Sequence, residues 1–389
     1  LASARPRRYH RGMSTGPDNR VVVGLSGGVD SSVAALLLKR AGFDVHGLFM
    51  NNWEEDETGY CTNARDFQDA RAVCERLEIP LHRVSFAREY RERVFEYLIS
   101  EYRAGRTPNP DVLCNREIKF GEFARYARRL GAAWIATGHY ARVDPGRRLL
   151  LRAQDEDKDQ TYFLHGIHGP ELARVKFPLG DLTKREVRRI AADAGLPTHA
   201  KQDSTGICFI GERPFREFLS GHLPGQPGPI VTEAGEQIGT HEGLVYYTIG
   251  QRQGLGIGGV RGRDDAPWYV AEKRLETGEL VVVQGGEHPR LYAPALLAVA
   301  PSWIAGEAPA WPLRCRARLR HRQPLQDCRV QPVDDNLLVS FDQPQRAIAP
   351  GQFAVLYDGE TCLGGAVIQR ALPAPELLAE AAEAPLTLV

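Results

Sequence analysis

Two cysteines stand in sequence contexts that favour reactivity over simple packing. Cys114 ends the run Asn109-Pro110-Asp111-Val112-Leu113-Cys114, in which a proline-stiffened loop is expected to lead into a helix. A thiol at a helix N-terminus is more reactive because the helix dipole stabilises the thiolate. Asp111, three residues earlier, is close enough to handle its proton. Cys208 stands between two glycines in Gly206-Ile207-Cys208-Phe209-Ile210-Gly211, which predicts a segment that can move.

The other cysteines have no such context, and a cysteine without context is usually a small buried apolar residue. We therefore expect Cys61, Cys74, Cys315, Cys328 and Cys362 in the core. Seven cysteines in a long chain, none of them spaced C-x-x-C, argue against a disulfide scaffold, a zinc ribbon or an iron–sulfur site. The pattern predicts individual thiols in a reducing compartment.

A glycine-rich loop between a strand and a helix is the second candidate site. Residues 20–25 form a β-branched apolar run, Ser26-Gly27-Gly28-Val29-Asp30-Ser31 follows as a turn, and residues 32–42 read as a helix. Two glycines let the backbone approach a ligand, and the helix N-terminus favours an anion. Asp30 is expected to meet a magnesium ion or a backbone N–H. The alternative interpretation is a tight turn with an acidic N-cap, because the loop is neither a Walker A motif nor G-x-G-x-x-G.

Alternating strand and helix patterns surround this loop and predict a parallel sheet. Thr183-Lys184-Arg185-Glu186 is a capping box that opens a later helix, which ends near Gly195. The overall prediction is an α/β fold with a Rossmann-like N-terminal domain, a small glycine-rich central domain and a C-terminal β-barrel. The expected boundaries are residues 1–18 for a disordered leader, 19–212, 213–282 and 283–375 for the three domains, and 376–389 for a tail.

Charge and composition exclude several function classes. The 389 residues include 49 basic and 49 acidic side chains, so no global field attracts nucleic acid and any RNA contact needs a local basic patch. The sequence has no apolar run of the ~18 residues that span a bilayer, and membrane association is not expected. Residues 1–17 carry four arginines and no acid. We expect a leader upstream of Met13 and a cytoplasmic protein, with a mitochondrial transit peptide as the alternative.

A local basic patch is predicted in residues 313–322, where arginine occupies every second position from Arg314 to Arg322. In a strand, these five side chains share one face, while Leu313, Cys315, Ala317 and Leu319 share the other. We expect the arginine face to contact a phosphate backbone. The alternative is a solvated edge strand.

Taken together, these motifs resemble a known family. The loop Ser26-Gly27-Gly28-Val29-Asp30-Ser31 is similar to the PP-loop of the ATP pyrophosphatases, which activate a carbonyl oxygen as an adenylate and release pyrophosphate. With Asn-Pro-Asp-x-x-Cys-Asn and Gly-Ile-Cys-Phe-Ile-Gly following in this order, the chain closely resembles the tRNA-specific 2-thiouridylases, which thiolate the wobble uridine. Four further segments extend the resemblance from residue 20 to about residue 370: Thr137–Ala141, Asp157–Leu164, Tyr247–Arg252 and Arg320–Arg322.

The resemblance implies roles for individual residues. Those expected to bind the ATP phosphates are Gly24, Leu25, Ser26, Gly27, Gly28, Val29, Asp30 and Ser31, and those expected beside the adenosine are Met50 and Gly138. The target base would contact Asn109, Pro110 and Asp111, with Asp111 as the acid–base group, Cys114 as the nucleophile and Cys208 as the persulfide carrier. Contacts with tRNA are implied for Lys158, Asp159, Gln160, Arg320 and His321. His139 would lie beside the nucleotide, although a core histidine is an equal interpretation. No resident metal ligand is implied.

The implied reaction uses ATP and Mg²⁺ to adenylate the C2 oxygen of uridine, after which sulfur replaces that oxygen. Either a Cys208 persulfide delivers the sulfur and leaves a Cys114–Cys208 disulfide, or free sulfide attacks C2. Implied partners are the tRNAs for Lys, Glu and Gln and a cysteine desulfurase or sulfur-relay protein. We expect a monomer when the protein is free.

Three other functions remain open at this point. An amide-forming PP-loop synthetase would need no paired cysteines. An RNA-binding protein with a vestigial loop would not turn over ATP, yet Gly27, Gly28, Asp30 and Ser31 are intact. A metal-dependent nuclease would need a cluster of ligands that the sequence does not show.

Overall fold

A five-stranded parallel sheet organises the N-terminal part of the chain in a computed structural model that describes residues 19–53, 62–203, 215–258 and 265–373. Its strands are β1 (Arg20–Gly24), β2 (Asp44–Asn51), β3 (Leu81–Ser85), β4 (Trp134–Ala136) and β7 (Val175–Lys176). They lie in the order β3-β2-β1-β4-β7. Between β4 and β7, the chain forms the hairpin β5 (Arg142–Asp144) and β6 (Leu149–Leu151). The sheet confirms the predicted Rossmann-like architecture.

Helices cover both faces of this sheet. They are α1 (Val29–Arg40), α2 (Thr62–Leu77), α3 (Ala87–Tyr90), α4 (Glu96–Arg103), α5 (Pro110–Leu113), α6 (Phe123–Arg129), α7 (Thr161–Leu164), α8 (Gly169–Leu172) and α9 (Lys184–Asp193). A π-helical stretch, Arg91–Phe95, joins α3 to α4, and another, Cys114–Glu122, joins α5 to α6. Val21 and Val23 of β1 pack into one apolar core and Val22 into the other, which explains why the centre of this strand is a run of three valines.

The central region contains helix α10 (Phe215–His222) and a small four-stranded sheet. Its strands are β8 (Gly228–Thr232), β9 (Gln237–His241), β10 (Trp268–Arg274) and β11 (Glu279–Gln284), in the order β10-β11-β8-β9. Ile230, Val270, Leu280 and Val282 form its core.

Six antiparallel strands form the predicted C-terminal barrel. They are β12 (Tyr292–Trp303), β13 (Leu313–Arg318), β14 (Gln326–Val333), β15 (Asn336–Arg346), β16 (Phe353–Asp358) and β17 (Thr361–Leu372). Pairing of β12 with β17 closes the barrel, which confirms the predicted fold class. Of the cysteines assigned to the core, Cys74, Cys315, Cys328 and Cys362 are buried, whereas Cys61 lies outside the described residues.

The N-terminal hairpin extends the barrel sheet, a connection that the sequence patterns did not predict. Leu150 and Leu151 of β6 pair with Cys362 and Thr361 of β17. Leu150 belongs to the same apolar cluster as Tyr357 and Cys362, so the two domains share a core. Among the described residues, the helices are all too short or too polar to cross a membrane.

Candidate functional site

The glycine loop sits where ligands bind in open α/β sheets, at the carboxyl end of β1 beside β4. Gly27 has a φ of +73°, and a Cβ there would collide with the carbonyl oxygen of Asp66, so only glycine fits. The backbone N–H of Ser26 donates to the Ser31 hydroxyl (3.2 Å), and the Ser32 hydroxyl donates to the Gly28 carbonyl (2.7 Å). These bonds tie the loop to the first turn of α1.

The segment after β4 packs directly against this loop. A Cβ on Gly138 would lie 2.6 Å from the backbone nitrogen of Ser31, so glycine lets the two backbones meet. Met50, at the carboxyl end of β2, lies beside Gly24: its Cε would be 3.6 Å from a Cβ placed there. The structure thus brings Met50 and Gly138 to the loop, as an adenosine pocket requires, and their contact with adenosine stays a prediction.

Asp30 has partners that its local sequence does not reveal. Its carboxylate accepts hydrogen bonds from Lys184 Nζ at 2.7 and 2.8 Å and from the Tyr140 hydroxyl at 2.9 Å. Burial raises the pKa of Tyr140, and the Asp30 charge adds to this effect, so the phenol remains a donor. The expectation that Asp30 meets a backbone N–H is therefore corrected: a lysine 154 residues away meets it.

Lys184 connects the loop to a second acidic group. Its Nζ also lies 2.8 Å from Asp203, which accepts further contacts from Lys158 (3.0 Å) and Arg188 (2.7 Å). Burial alone would raise the pKa of Asp203, but hydrogen bonds from Lys184 and Lys158 lower it to about 2. We call Lys158, Lys184 and Arg188 the cation cluster.

Lys201 supplies one more positive charge at the loop. Its Nζ donates to the Gly27 carbonyl oxygen (3.0 Å) and pairs with Asp66 and Asp69. Sequence reasoning missed Lys184, Arg188 and Lys201. Of these three, only Lys184 lies in a motif that the sequence predicted, because it directly follows the N-cap Thr183. The structure confirms that capping box.

Cys114 is fully buried, and its position corrects the expected helix start. The helix begins at Pro110 with Asn109 as N-cap, so Cys114 lies after the first turn, where the π-helical stretch starts. The helix dipole therefore acts on this thiol less directly than expected. Asp111 is half-buried in the first turn. Cys208 lies outside the described residues.

The Asn-Pro-Asp segment docks on the C-terminal barrel. Gln352 Nε2 donates to the backbone carbonyl of Thr107 (2.8 Å), so its Oε1 faces Asn109 and accepts from Asn109 Nδ2 at 3.4 Å. This arrangement leaves Asn109 Oδ1 buried without a hydrogen-bond partner. Gln352 is a site residue that sequence reasoning missed, and no local pattern marks it.

The three side chains of the segment Lys158-Asp159-Gln160 make different contacts. Lys158 joins the cation cluster. Gln160 binds the Tyr140 backbone through its side-chain oxygen (2.9 Å). The carboxylate of Asp159 is fully buried and meets Arg318 Nη1 at 3.1 Å, so it offers no surface to a tRNA. The expected tRNA contact of the Asp159 side chain is therefore corrected to an internal ion pair.

The predicted arginine face of residues 313–322 is also corrected. Arg318 is buried against Asp159, and Arg314 pairs with Asp342. Strand β13 ends at Arg318, and beyond it Arg320 donates to the carbonyl oxygens of Ile249 (3.1 Å) and Ala347 (2.7 Å). Neighbouring segments cover the end of the strand, so the arginines do not form one exposed row.

Burial disfavours the charged form of two histidines near these segments. Burial lowers the pKa of His139 well below its usual value, with Lys119 adding to the effect. Its Nδ1 lies 2.7 Å from the Thr137 hydroxyl. His321 packs on Phe163, with ring centroids 4.4 Å apart. Burial lowers the pKa of His321, and the positive charge of Arg318 lowers it further, whereas the negative charge of Asp159 raises it.

Comparison with known proteins agrees with this architecture. The family described as tRNA methyl transferase HUP domain matches residues 19–212. The tRNA methyl transferase PRC-barrel domain matches residues 216–284, and the aminomethyltransferase beta-barrel domain matches residues 294–368.

Three similar curated proteins are named tRNA-specific 2-thiouridylase MnmA. The protein from Hahella chejuensis is 57% identical over 360 residues, which cover 92% of this chain and 99% of the relative. The protein from Methylococcus capsulatus is 58% identical over 354 residues, covering 90% and 95%. The protein from Francisella philomiragia is 53% identical over 356 residues, covering 90% and 99%. With this identity over nearly the full length of each relative, the chain belongs to the tRNA-specific 2-thiouridylase family, a family of tRNA sulfurtransferases.

Proposed function

We propose that this protein uses ATP to replace the C2 oxygen of the wobble uridine of tRNA with sulfur. Family membership supports the substrate and the enzyme class. The observation that carries the proposal is the meeting of the glycine loop with the segment after β4, where only glycine fits at positions 27 and 138. Such a loop at a helix N-terminus suits the phosphates of a nucleotide.

The first step activates a poor leaving group. The uridine C2 oxygen attacks the α-phosphate of ATP, and pyrophosphate leaves. The loop, from Gly24 to Ser31, and Lys184 would bind the phosphates through backbone N–H groups and a positive charge. Mg²⁺ would be held mainly by phosphate oxygens, and Asp30 is the loop carboxylate at hand. Asp30 suits that role only in part, because Lys184 and Tyr140 already contact it.

The second step transfers the sulfur. The outer sulfur of a Cys208 persulfide attacks C2, and AMP leaves with the original C2 oxygen. Cys114 then attacks Cys208 Sγ, so the S–S bond breaks, the new C2 sulfur is released to the base and a Cys114–Cys208 disulfide forms. An external thiol reductant reopens that disulfide. A free sulfide attacking C2 would use the same loop. In this proposal Asp111, which lies in the helix three residues before Cys114, moves the proton.

The target base would bind where the Asn-Pro-Asp segment meets the barrel. Asn109, Pro110 and Asp111 contact the base in this proposal, and Lys158, Gln160, Arg320 and His321 contact the tRNA. The partly exposed surface of Lys158 and the ring of His321 against Phe163 support this placement. Expected partners are the tRNAs for Lys, Glu and Gln and a cysteine desulfurase or relay protein. The monomeric state and cytoplasmic location belong to the same proposal, and the bacterial relatives give the mitochondrial alternative no support.

A sulfur-transfer assay tests the proposal. Unmodified tRNA is incubated with the protein, ATP, Mg²⁺ and a sulfide or desulfurase source, and thiouridine is detected by retarded migration in a mercury-containing gel. We expect thiolated tRNA from the wild type and none from Cys114→Ser or Cys208→Ser. Cys74→Ser is the matched control, since Cys74 is a buried core cysteine of α2, and it should retain activity.

Two other outcomes would change the assignment. Product from Cys208→Ser with free sulfide would move Cys208 from the chemistry to sulfur delivery. Conversion of ATP to AMP and pyrophosphate without thiolated tRNA would leave the nucleotide site standing and overturn the proposed substrate.

A further inference from the structure

Asp203 is surrounded by positive charge in the way that a bound phosphate would be. Its Oδ1 lies 2.8 Å from Lys184 Nζ and 2.7 Å from Arg188 Nη2, and its Oδ2 lies 3.0 Å from Lys158 Nζ. Three cationic side chains contact this one carboxylate, whereas an ordinary surface ion pair has a single cation. A group of the same charge sign and similar oxygen spacing, such as a phosphoryl group, would find the same partners.

The cation cluster is also tied to the glycine loop. Lys184 contacts Asp203 and Asp30 through the same Nζ atom, and Asp30 belongs to the loop. Lys184 is the first residue of α9, and its backbone N–H donates to Asp155 (2.8 Å), so its backbone is held in place. Asp203 and Lys158 are about one-third exposed, so an anion from solvent can reach them.

The glycine loop and the cation cluster together form one anion-binding region, in which the Asp203 carboxylate is the anion already bound. We propose that Asp203 competes with the phosphates of ATP and of pyrophosphate for Lys184, Lys158 and Arg188. This inference rests on the proposed function, since it takes the loop as the phosphate site. Phosphates that enter the loop would take Lys184 from Asp203, and Asp203 would retake it when pyrophosphate leaves. The competition weakens product binding and so favours release after the adenylation step.

Lys201 does not share this arrangement. Its Nζ is held by Asp66, Asp69 and the Gly27 carbonyl, and within the described part of the chain it forms no ion pair with Asp203. Lys201 therefore supports the loop backbone, and the competition concerns only the cation cluster.

Removal of the internal anion tests the proposal by raising an affinity. Inorganic pyrophosphate is titrated into the full-length protein without tRNA, and its dissociation constant is measured by calorimetry. Asp203→Asn should bind pyrophosphate about five- to tenfold more tightly, because three partly exposed ion contacts are released to the ligand. Asp203→Glu keeps the charge and should stay near the wild-type affinity. The gain should shrink as ionic strength rises.

Two further variants separate the possible failures. Asp44→Asn removes the same charge from a surface pair with Arg20, remote from the loop, and should leave pyrophosphate affinity unchanged. Lys184→Met should weaken binding. If Lys184→Met binds pyrophosphate as the wild type does, the phosphate site itself is misplaced and the proposed function fails.

If Lys184→Met weakens binding but Asp203→Asn does not tighten it, the competition by Asp203 is overturned while the phosphate site stands. Tightening by Asp44→Asn equal to that by Asp203→Asn would also overturn it, since the effect would then be one of net charge. Asp203→Ser, a smaller neutral replacement, serves if Asp203→Asn fails to fold, and its thermal unfolding is compared with that of the wild type.

Discussion

At the scale of single residues, Gly27 shows how backbone geometry dictates residue type. Its φ is positive, and the Asp66 carbonyl oxygen occupies the space that a Cβ would need, so there is no room for a side chain. Gly28, the next residue, has a φ of −96° and only the Ser26 hydroxyl nearby, at 3.4 Å. The motif pairs two glycines, but the two positions have different requirements.

We therefore expect Gly27→Ala to destabilise the protein more than Gly28→Ala does. We expect Gly27→Ala to lower the free energy of unfolding by ~1–3 kcal/mol, because it forces a strained φ and a backbone clash. Gly28→Ala should cost about 1 kcal/mol or less, since its φ suits alanine and only the N-cap preference changes. Denaturant unfolding of both variants beside the wild type provides the measurement. Equal losses would show that the loop backbone is not constrained at position 27.

At the scale of elements, the end of β13 shows where a strand pattern stops being informative. Cys315 and Ala317 face the barrel core as the alternation predicted. Arg318 lies on the opposite face, yet it is buried, because the segment before α7 covers this end of the strand and places Asp159 there. The Thr161 hydroxyl also donates to Asp159 (2.9 Å), so the anion is well satisfied.

Breaking this buried ion pair should destabilise the protein strongly. Arg318→Met leaves the buried Asp159 with only the longer ion pair to Arg152, at 3.8 Å. We therefore expect a loss of ~3 kcal/mol in the free energy of unfolding. Arg314→Met is the control, because its pair with Asp342 is at the surface, and it should hardly change stability. In a double-mutant cycle, Asp159→Asn combined with Arg318→Met should cost less than the two single changes added together. Additive losses would mean that the two groups do not interact.

At the scale of the whole molecule, the N-terminal domain and the barrel share one apolar core. The hairpin β5–β6 extends the barrel sheet, and Gln352 of the barrel contacts Asn109 of the Asn-Pro-Asp segment. His165, from the segment between α7 and α8, packs on Phe353 of the barrel with ring centroids 4.8 Å apart. The candidate site thus depends on contacts between domains, and its geometry should respond when this interface loosens.

Acid should loosen that interface through His165. Burial lowers its pKa from 6.5 to about 4, so the native state holds the ring neutral. Above pH 6.5, His165 is neutral in both the folded and the unfolded state, and stability is not reduced. As the pH falls from 6.5 toward 4, the unfolded state takes up a proton that the folded state does not, and the free energy of unfolding falls, by about 2 kcal/mol at pH 5. Thermal unfolding at pH 7.5 and pH 5 should therefore show a smaller pH effect for His165→Asn than for the wild type. His168→Asn, an exposed control three residues later, should retain the wild-type pH effect.

The local sequence was sufficient for those features that depend on neighbouring residues. The strand–loop–helix unit around Ser26–Ser31, the capping box at Thr183 and the alternation in β13 follow from side-chain spacing, and the structure contains all three. The α/β class with a C-terminal barrel follows from the order of such patterns. The resemblance to the thiouridylases rested on motif spelling and order, and the curated relatives confirm it.

Only the tertiary structure decided which polar and charged side chains meet. The lysine that contacts Asp30, the arginine that neutralises Asp159 and the glutamine that orients Asn109 lie 154, 159 and 243 residues away from their partners in the chain. The chain has 49 basic side chains, and nothing in the local pattern distinguishes the one that will reach a given carboxylate. Such pairings depend on how helices and sheets pack, because burial converts a nearby opposite charge from an optional partner into a required one.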